Sequence, residues 1–502
     1  MSNASTDHLT PLSNATLASL PEAVPGPTYD RGAVSVGIVH LGVGGFHRAH
    51  EAMYVDRLMN RGLAMDWGIC GVGVMPHDRG MRDALGAQDC LFTLVAKSPD
   101  GTVEPRVIGS IVEYLFAPDD ADAVVERMAD PRVRIVSLTI TEGGYNVSAV
   151  SGEFDQANPD VLHDLEPGAV PRTTFGLVTE AIERRRRRGV PPFTIVSCDN
   201  IQGNGEVARR SFAAFAAMRS PELAACVREM HFPTSMVDRI TPATTDADRA
   251  ELTERFGVQD RWPVVCEPFI QWVLEDSFGA SRPPLEQAGV QVVADVEPYE
   301  LMKLRLLNAS HQALCYFGYL AGYRLVHEVC QDHLFAAFLR AYMDREGSPT
   351  LPTVPGIDLD DYKSTLIERF SNPAVRDTVA RLCAESSDRI PKWLLPVIRE
   401  NLAAGRDVTL AAAVVASWAR YAEGVDEQGA PIEVVDQLRA SLMANAGRQH
   451  DDPLAFVANR DVFGDLVDDE RFTTAYTAAL GSLHRVGARA TLEALMAQPA
   501  PT

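Results

Sequence analysis

The sequence predicts an α/β amino-terminal domain built on a parallel sheet, followed by a mainly α-helical carboxy-terminal domain. Three observations carry that prediction. Through the first half of the chain, short β-branched runs alternate with helix-forming stretches. The first clear run opens directly into a glycine turn, Gly42-Val43-Gly44-Gly45-Phe46-His47-Arg48. Beyond about residue 297 the strand-like runs stop and helical periodicity takes over.

Length and charge set the outer limits. A chain of 502 residues can bury more than one core. A boundary near Pro283-Pro284 divides it into residues 1–284 and 285–502. The net charge of −22 argues against nucleic acid and anionic membranes as partners. The polar start (Ser2, Asn3, Asp7, His8) has no apolar signal core. No uninterrupted apolar run reaches the roughly 18 residues of a membrane span. Eight scattered cysteines without a Cys-x-x-Cys pair point to a reduced, cytoplasmic chain.

Residues 1–33 read as an irregular lead-in. Val34 to Leu41 is a buried strand, and a helix runs from about Ala49 to Asn60. Strand, glycine turn and helix suit a dinucleotide pyrophosphate in a Rossmann-type domain, because glycine lets the backbone approach and a helix N-terminus faces negative charge. Gly42, Gly44, Gly45, Phe46 and His47 are therefore candidate cofactor contacts. Arg48 offers a guanidinium beside the phosphates. Without Arg48 an ordinary tight turn fits about as well, since His47 stands where the usual pattern has its third glycine.

Trp67 to Val74 is the second strand. An acid at its end would hold the adenosine ribose. None stands there: His77 and Asp78 come after Met75-Pro76, and Arg79 follows. NAD is the expected coenzyme, with NADP left open. Leu91 to Ala96 and Val107 to Leu115 read as strands of an antiparallel excursion, and Ala121 to Met128 as a helix. Val133 to Ile140 is a strand ending in Thr141-Glu142-Gly143-Gly144-Tyr145. Glu142 and Tyr145 line the nicotinamide pocket in this reading; a plain turn fits at least as well. Thr173 to Arg188 is a helix whose basic end suits its dipole. Phe193 to Ser197 is a strand that delivers Asn200 to a carboxyl end, either as an amide donor to a reacting oxygen or, the better fit for this residue alone, as a turn residue. After a helix from Gly205 to Met218, Asp238 is either a ligand for substrate hydroxyls or a partner for Arg239. Val290 to Val296 is a candidate last strand.

The second half opens on Glu300-Leu-Met-Lys303-Leu-Arg-Leu-Leu-Asn308-Ala-Ser-His311. It holds no Gly or Pro and reads as an α-helix. At about 100° per residue, Asn308 lies about 140° and His311 about 80° from Lys303. A base, an amide and an imidazole thus share one side. The chemistry this suggests is alcohol oxidation: a neutral Lys303 takes the hydroxyl proton, Asn308 donates to the oxygen, and His311 orients it. Alone, the triplet better fits a surface lysine beside two satisfied polar groups. The apolar flanks, Leu301 to Leu307 and Ala313 to Ala321, tilt the reading toward a buried helix, where polar groups need partners or a task. Further helices are expected over Gln331 to Asp344, Leu359 to Phe370, Val375 to Cys383, Lys392 to Ala404, Leu410 to Tyr421, Pro431 to Ala446, Asp468 to His484 and Ala488 to Met496. Ser387 to Lys392 reads as a polar loop, in which Arg389 or Lys392 either reaches a polyol oxygen or caps a helix.

Five stretches in order resemble the long-chain polyol-specific dehydrogenase/reductase family: Gly42-x-Gly44-Gly45-Phe46-His47-Arg48-Ala49-His50, Thr141-Glu-Gly-Gly-Tyr145, Ser197-Cys-Asp-Asn200, Val237-Asp-Arg-Ile-Thr-Pro242 and Lys303-x4-Asn308-x2-His311. They span residues 34 to 395 or so, and the family carries His-Arg where this chain has His47-Arg48. The resemblance implies a Rossmann-type domain, residues 1–284, and a mainly helical catalytic domain, 285–502. It implies NAD-dependent, reversible oxidation of a polyol to a ketose, D-mannitol to D-fructose foremost, without a metal. The lack of a clustered His/Cys ligand set fits that. Lys303 is then the general base, Asn200 and Asn308 the oxygen-stabilising amides, His311 a substrate-orienting group, and Asp238 with Arg389 or Lys392 the binders of sugar hydroxyls. Related substrates within the family are D-arabinitol and a hexuronate such as fructuronate. Members of the family include monomers, and nothing in the sequence marks an association stripe.

Overall fold

The computed structural model describes residues 9–148, 152–279 and 281–497. The chain forms two compact units, Met1–Val296 and Glu297–Thr502. The division falls after Val296 rather than near Pro283-Pro284 because the strand Gln291–Val293 pairs in parallel with Gln271–Glu275 of the first unit.

The strands in chain order are β1 (Thr10–Pro11), β2 (Val36–Leu41), β3 (Gly68–Gly73), β4 (Phe92–Lys97), β5 (Val103–Ile108), β6 (Ile111–Phe116), β7 (Ile135–Leu138), β8 (Thr194–Ser197), β9 (Ser235–Asp238), β10 (Val258–Gln259), β11 (Val264–Cys266), β12 (Gln271–Glu275) and β13 (Gln291–Val293). The central sheet has five strands in the order β6-β3-β2-β7-β8, every pair parallel. Alternate residues leave its two faces, and each face has its own core. Val39, Leu41, Cys70, Val72, Val136, Leu138 and Ile195 pack under the helices Ala121–Ala129, Thr174–Arg188 and Asn204–Arg219. Ile38, Ile69, Ile135 and Val196 pack against the helix Glu51–Met59. Both faces being covered explains why these strands read as unbroken apolar runs. The strand order reverses between β2 and β7, and ligands bind such sheets at the carboxyl ends beside that reversal.

The stretch expected as one strand from Val107 to Leu115 is two. β5 pairs antiparallel with β4, as the excursion predicts, and β6 then joins the edge of the parallel sheet beside β3. Several helices escaped the sequence reading, among them Pro221–Glu229 and Asp246–Phe256. The second has a reciprocal capping box between Thr245 and Asp248, a signal that was there to read. The lead-in is tied down: β1 pairs with β10, and Arg31 donates to the Gly109 and Ile111 carbonyls.

In the second unit the helix Thr409–Tyr421 is the core element. Ala411 to Ala416 have no exposed surface, so this helix is apolar all round and is covered on every side. It packs against the helices Ala309–Leu320 and Glu470–Ala497. The latter bends at Gly487 (φ 83°, ψ 176°), which joins the two helices expected there. Two expectations fail. Ser387 to Lys392 is not a loop but part of a helix, Ser386–Trp393. Ser386 hydrogen-bonds Tyr316 and Ser387 bonds Asp436, so tertiary contacts override the polar composition. The helix expected from Pro431 starts only at Arg439, because Pro431 instead bridges Val425 and Ile432 N–H donates to the Gly424 carbonyl.

Candidate active site

In the first unit, β2 ends in a turn that its residue types dictate. Gly42 has φ +93°, and a Cβ there would collide with the Thr139 carbonyl oxygen beyond β7. Only glycine tolerates both conditions. Gly44 is exposed, and a Cβ on it would meet nothing within 4 Å. That open backbone, followed by a helix start at Gly45, could take a pyrophosphate. A helix forms from Gly45, four residues earlier than expected, breaks at His50 and resumes at Glu51. Phe46 stacks on His50, 4.7 Å between ring centres.

His47 and Arg48 turn inward. The His47 ring stacks 3.4 Å from His40 of β2, and its Nδ1 lies 3.2 Å from Glu51 Oε2. Ser137 of β7 donates to the same oxygen at 2.8 Å. Burial lowers the His47 imidazole to about 3, so it is neutral. The two histidines hold the Glu51 carboxyl below its ordinary range. This buried knot ties β2, β7 and the turn together. Arg48, expected beside the phosphates, is 1 % exposed. Its guanidinium donates to the Trp262 carbonyl and lies over the Phe92 ring. It braces the turn from within.

A carboxylate from further along the chain reaches the end of the second strand. The turn Pro76–Asp78 folds back, and Asp78 Oδ2 accepts from Val74 N–H and Met75 N–H, both at 2.9 Å. A carboxylate therefore stands at the carboxyl end of β3, where the family of folds places the ribose-binding acid. Linear spacing hid it.

The loops after β7 and β8 are locked to each other. Asp199 accepts from Ile140 N–H (3.1 Å), Thr141 N–H (2.8 Å) and the Tyr145 hydroxyl (2.8 Å). Thr141 is held at φ +62°, a strained conformation for a β-branched residue that the Asp199 clamp sustains. Glu142 and Asn200 sit exposed on these two loops. Asp199 and Tyr145 thus tie the two loops together; the sequence places Tyr145 beside Glu142 at the nicotinamide, but its hydroxyl is buried against Ser197 and Asp199. Asp238 ends β9 and is buried. Its neighbour Arg239 donates to the Ala49 and Glu267 carbonyls.

In the second unit the expected α-helix is three segments: α-helical Glu297–Met302, a π-turn Lys303–Asn308, and α-helical Ala309–Leu320. Ala309 N–H reaches back five residues to the Leu304 carbonyl. The extra residue per turn brings Lys303 and Asn308, five apart, closer in angle than the roughly 140° of an α-helical register. Such π-turns recur at functional sites. Packing explains this one. The Tyr342 hydroxyl donates to the Arg305 carbonyl at 3.2 Å. A second π-turn, Met343–Gly347, lies alongside, and a Cβ on Gly347 would come within 2.9 Å of Leu306. Arg305 makes a two-pronged ion pair with Glu400, 2.6 and 2.8 Å.

Lys303 and Asn308 are buried, 7 % and 4 % exposed. Asn308 Oδ1 has no hydrogen-bond partner among the described residues, an unmet need inside a protein. His311 is half-buried against the Phe370 ring at 4.5 Å. Arg389 is half-buried and donates to the Arg381 and Leu382 carbonyls. Lys392 is exposed and paired with Asp388 at 2.6 Å. Of the two cations weighed, Lys392 is thus engaged at the surface.

Comparison with known proteins follows the same division. Residues 36–287 match the model of a mannitol dehydrogenase Rossmann domain, and residues 295–484 match that of a mannitol dehydrogenase C-terminal domain. The mannitol 2-dehydrogenase of Aspergillus fumigatus is 48 % identical over 474 residues, 93 % of this chain and 94 % of that one. That of Phaeosphaeria nodorum is 48 % identical over 93 % of this chain and 82 % of its own. Among solved structures, Pseudomonas fluorescens mannitol 2-dehydrogenase in ternary complex with NAD and D-mannitol is 46 % identical, with a TM-score of 0.87 over 97 % of this chain and all of that one. A substrate-free D-sorbitol dehydrogenase is 38 % identical, with a TM-score of 0.88 over 96 % and 100 % of the two chains. Among the described residues no helix is long and apolar enough to cross a membrane.

Proposed function

The chain belongs to the mannitol dehydrogenase family, and from that premise we propose that it is an NAD-dependent polyol dehydrogenase oxidising D-mannitol to D-fructose, with Lys303 as general base. The reaction needs a coenzyme and a base. The first unit carries the features for the one, the second those for the other.

The observation that carries the reading is the π-turn with buried Lys303 and Asn308 on it. A lysine amine titrates near 10.4 in water and works as a base near neutrality only when burial or charge brings it down. Lys303 takes the hydroxyl proton. Asn308 donates its amide N–H to the oxygen as negative charge grows there, a contribution on the order of 3 kcal/mol at comparable sites. His311 orients the hydroxyl. Asn200 is assigned the same amide role, Asp238 accepts from sugar hydroxyls, and Arg389 is favoured over Lys392 as the cation for a polyol oxygen. NAD, when bound, supplies the hydride acceptor; Gly42, Gly44, Gly45 and Asp78 are the residues that would hold it. Glu142 keeps its assignment to the nicotinamide side on its loop position alone. The eight cysteines are all free thiols, which supports a reducing compartment, the cytoplasm.

The competing substrates are D-sorbitol, D-arabinitol and fructuronate. Initial rates with these and D-mannitol, each with NAD and NADP, decide among them. The reading expects the highest kcat/KM for D-mannitol with NAD. A preference for fructuronate, or turnover only with NADP, would overturn it.

A further inference from the structure

Glu423 follows the buried helix Thr409–Tyr421, His450 lies in the turn after the helix Arg439–Ala446, and His484 sits on the C-terminal helix Glu470–Ala497. Three segments distant in sequence thus bring one carboxylate and two imidazoles together, with a ligand atom of each within 4.8 Å of the others. His484 Nε2 is 2.7 Å from Glu423 Oε1. The His450 and His484 rings stack 4.5 Å apart at 24°. Arg420 holds the other carboxylate oxygen, Oε2, at 3.0 Å. Gln449 donates to Oε1 and to the Ala419 carbonyl. The carboxylate is therefore oriented from behind, as metal-binding carboxylates are. His450 is exposed, which gives an ion a way in.

An ion pair between His484 and Glu423 needs no second imidazole. Two protonated rings stacked face to face would repel, whereas one dication takes a lone pair from each. Metal–nitrogen bonds of about 2.1 Å in a tetrahedral site place ligand atoms about 3.4 Å apart. The three groups reach that arrangement with side-chain movements of about 1.5 Å or less. Two imidazole nitrogens and one carboxylate oxygen are the donor set of zinc-type ions; calcium and magnesium ask for oxygen throughout.

We propose that Glu423, His450 and His484 form a surface site for one transition-metal dication of the zinc class. Water completes the coordination. The ion takes no part in the oxidation; it staples two turns to the C-terminal helix. Because it binds the folded arrangement and not the separated segments, it raises stability.

The test is a calorimetric titration of zinc chloride into the full-length protein, with magnesium chloride as control. The expected result is one saturable zinc site per chain, undisturbed by magnesium, with a melting temperature that rises on zinc addition. His450→Ala removes an exposed ring without disturbing the core and should weaken zinc binding by about tenfold or more; His484→Gln should do the same. Zinc binding of unchanged affinity in His450→Ala would overturn the proposal, as would the absence of saturable binding up to about 1 mM.

Discussion

The glycine turn after β2 and the π-turn at Lys303 are both departures from regular backbone, and they are specified in opposite ways. At Gly42 the departure is written in one residue: φ +93° and a carbonyl in Cβ's place leave no other choice. At Lys303 to Asn308 every residue is an ordinary helix former, and the distortion is imposed from outside by Tyr342, Gly347 and the Arg305–Glu400 pair. A turn fixed by its own residue should break locally. A turn fixed by its surroundings should break when neighbours that never touch substrate are changed.

The largest expected effect tests the second region at its chemistry. Lys303→Ala should lower kcat for D-mannitol about 10²- to 10⁴-fold while NADH binding, followed by fluorescence, stays intact. Asn308→Ala should cost about 10²- to 10³-fold in kcat; equal losses in coenzyme affinity would instead point to a misfolded unit. Gly347→Val touches neither group. Its new side chain presses on Leu306 and should lower kcat by up to about 10²-fold with KM for NAD unchanged. A variant with wild-type kcat would mean that packing does not set the π-turn. For contrast, Gly42→Ala should raise KM for NAD and lower the melting temperature, its positive φ alone costing about 1–3 kcal/mol.

This contrast also accounts for what the sequence made legible. The parallel strands, the glycine turn and the polar triplet at 303–311 could be read because residue type and spacing carry them. The π-turn could not, since helix periodicity assumes the regular register. Arg48 was misplaced for a related reason: its position beside the turn is local, but the Trp262 carbonyl that claims it is 214 residues away. Asp78 is the reverse case, a residue that looked too late in sequence and is brought back by a tight turn. The Glu423–His450–His484 group was invisible because no two of its members are near in sequence.

The smallest expected effect lies in the neighbouring π-turn. Glu346 accepts from Leu410 N–H and Ala411 N–H, both at 2.7 Å, at the start of the core helix. Burial outweighs those donors and pushes its carboxyl from 4.5 up to about 8. The folded protein then binds a proton that the unfolded chain gives up above about pH 4.5. Its contribution to stability is full below that value and is lost as pH rises through 8. Glu346→Gln should flatten the fall of melting temperature between pH 5 and 8 relative to wild type, the buried neutral histidines His47 and His50 cancelling in the difference. Parallel curves for the two proteins would show that this carboxyl stays ionised.

The most direct measurement of the central claim is amine rescue of Lys303→Ala. With saturating NAD and D-mannitol, small primary amines added to the variant should restore turnover in proportion to the free-base concentration. The rate should follow the pKa of the added amine. A folded, NADH-binding variant that no amine rescues, or one that turns over at the wild-type rate without any, would contradict the assignment of Lys303 as the base.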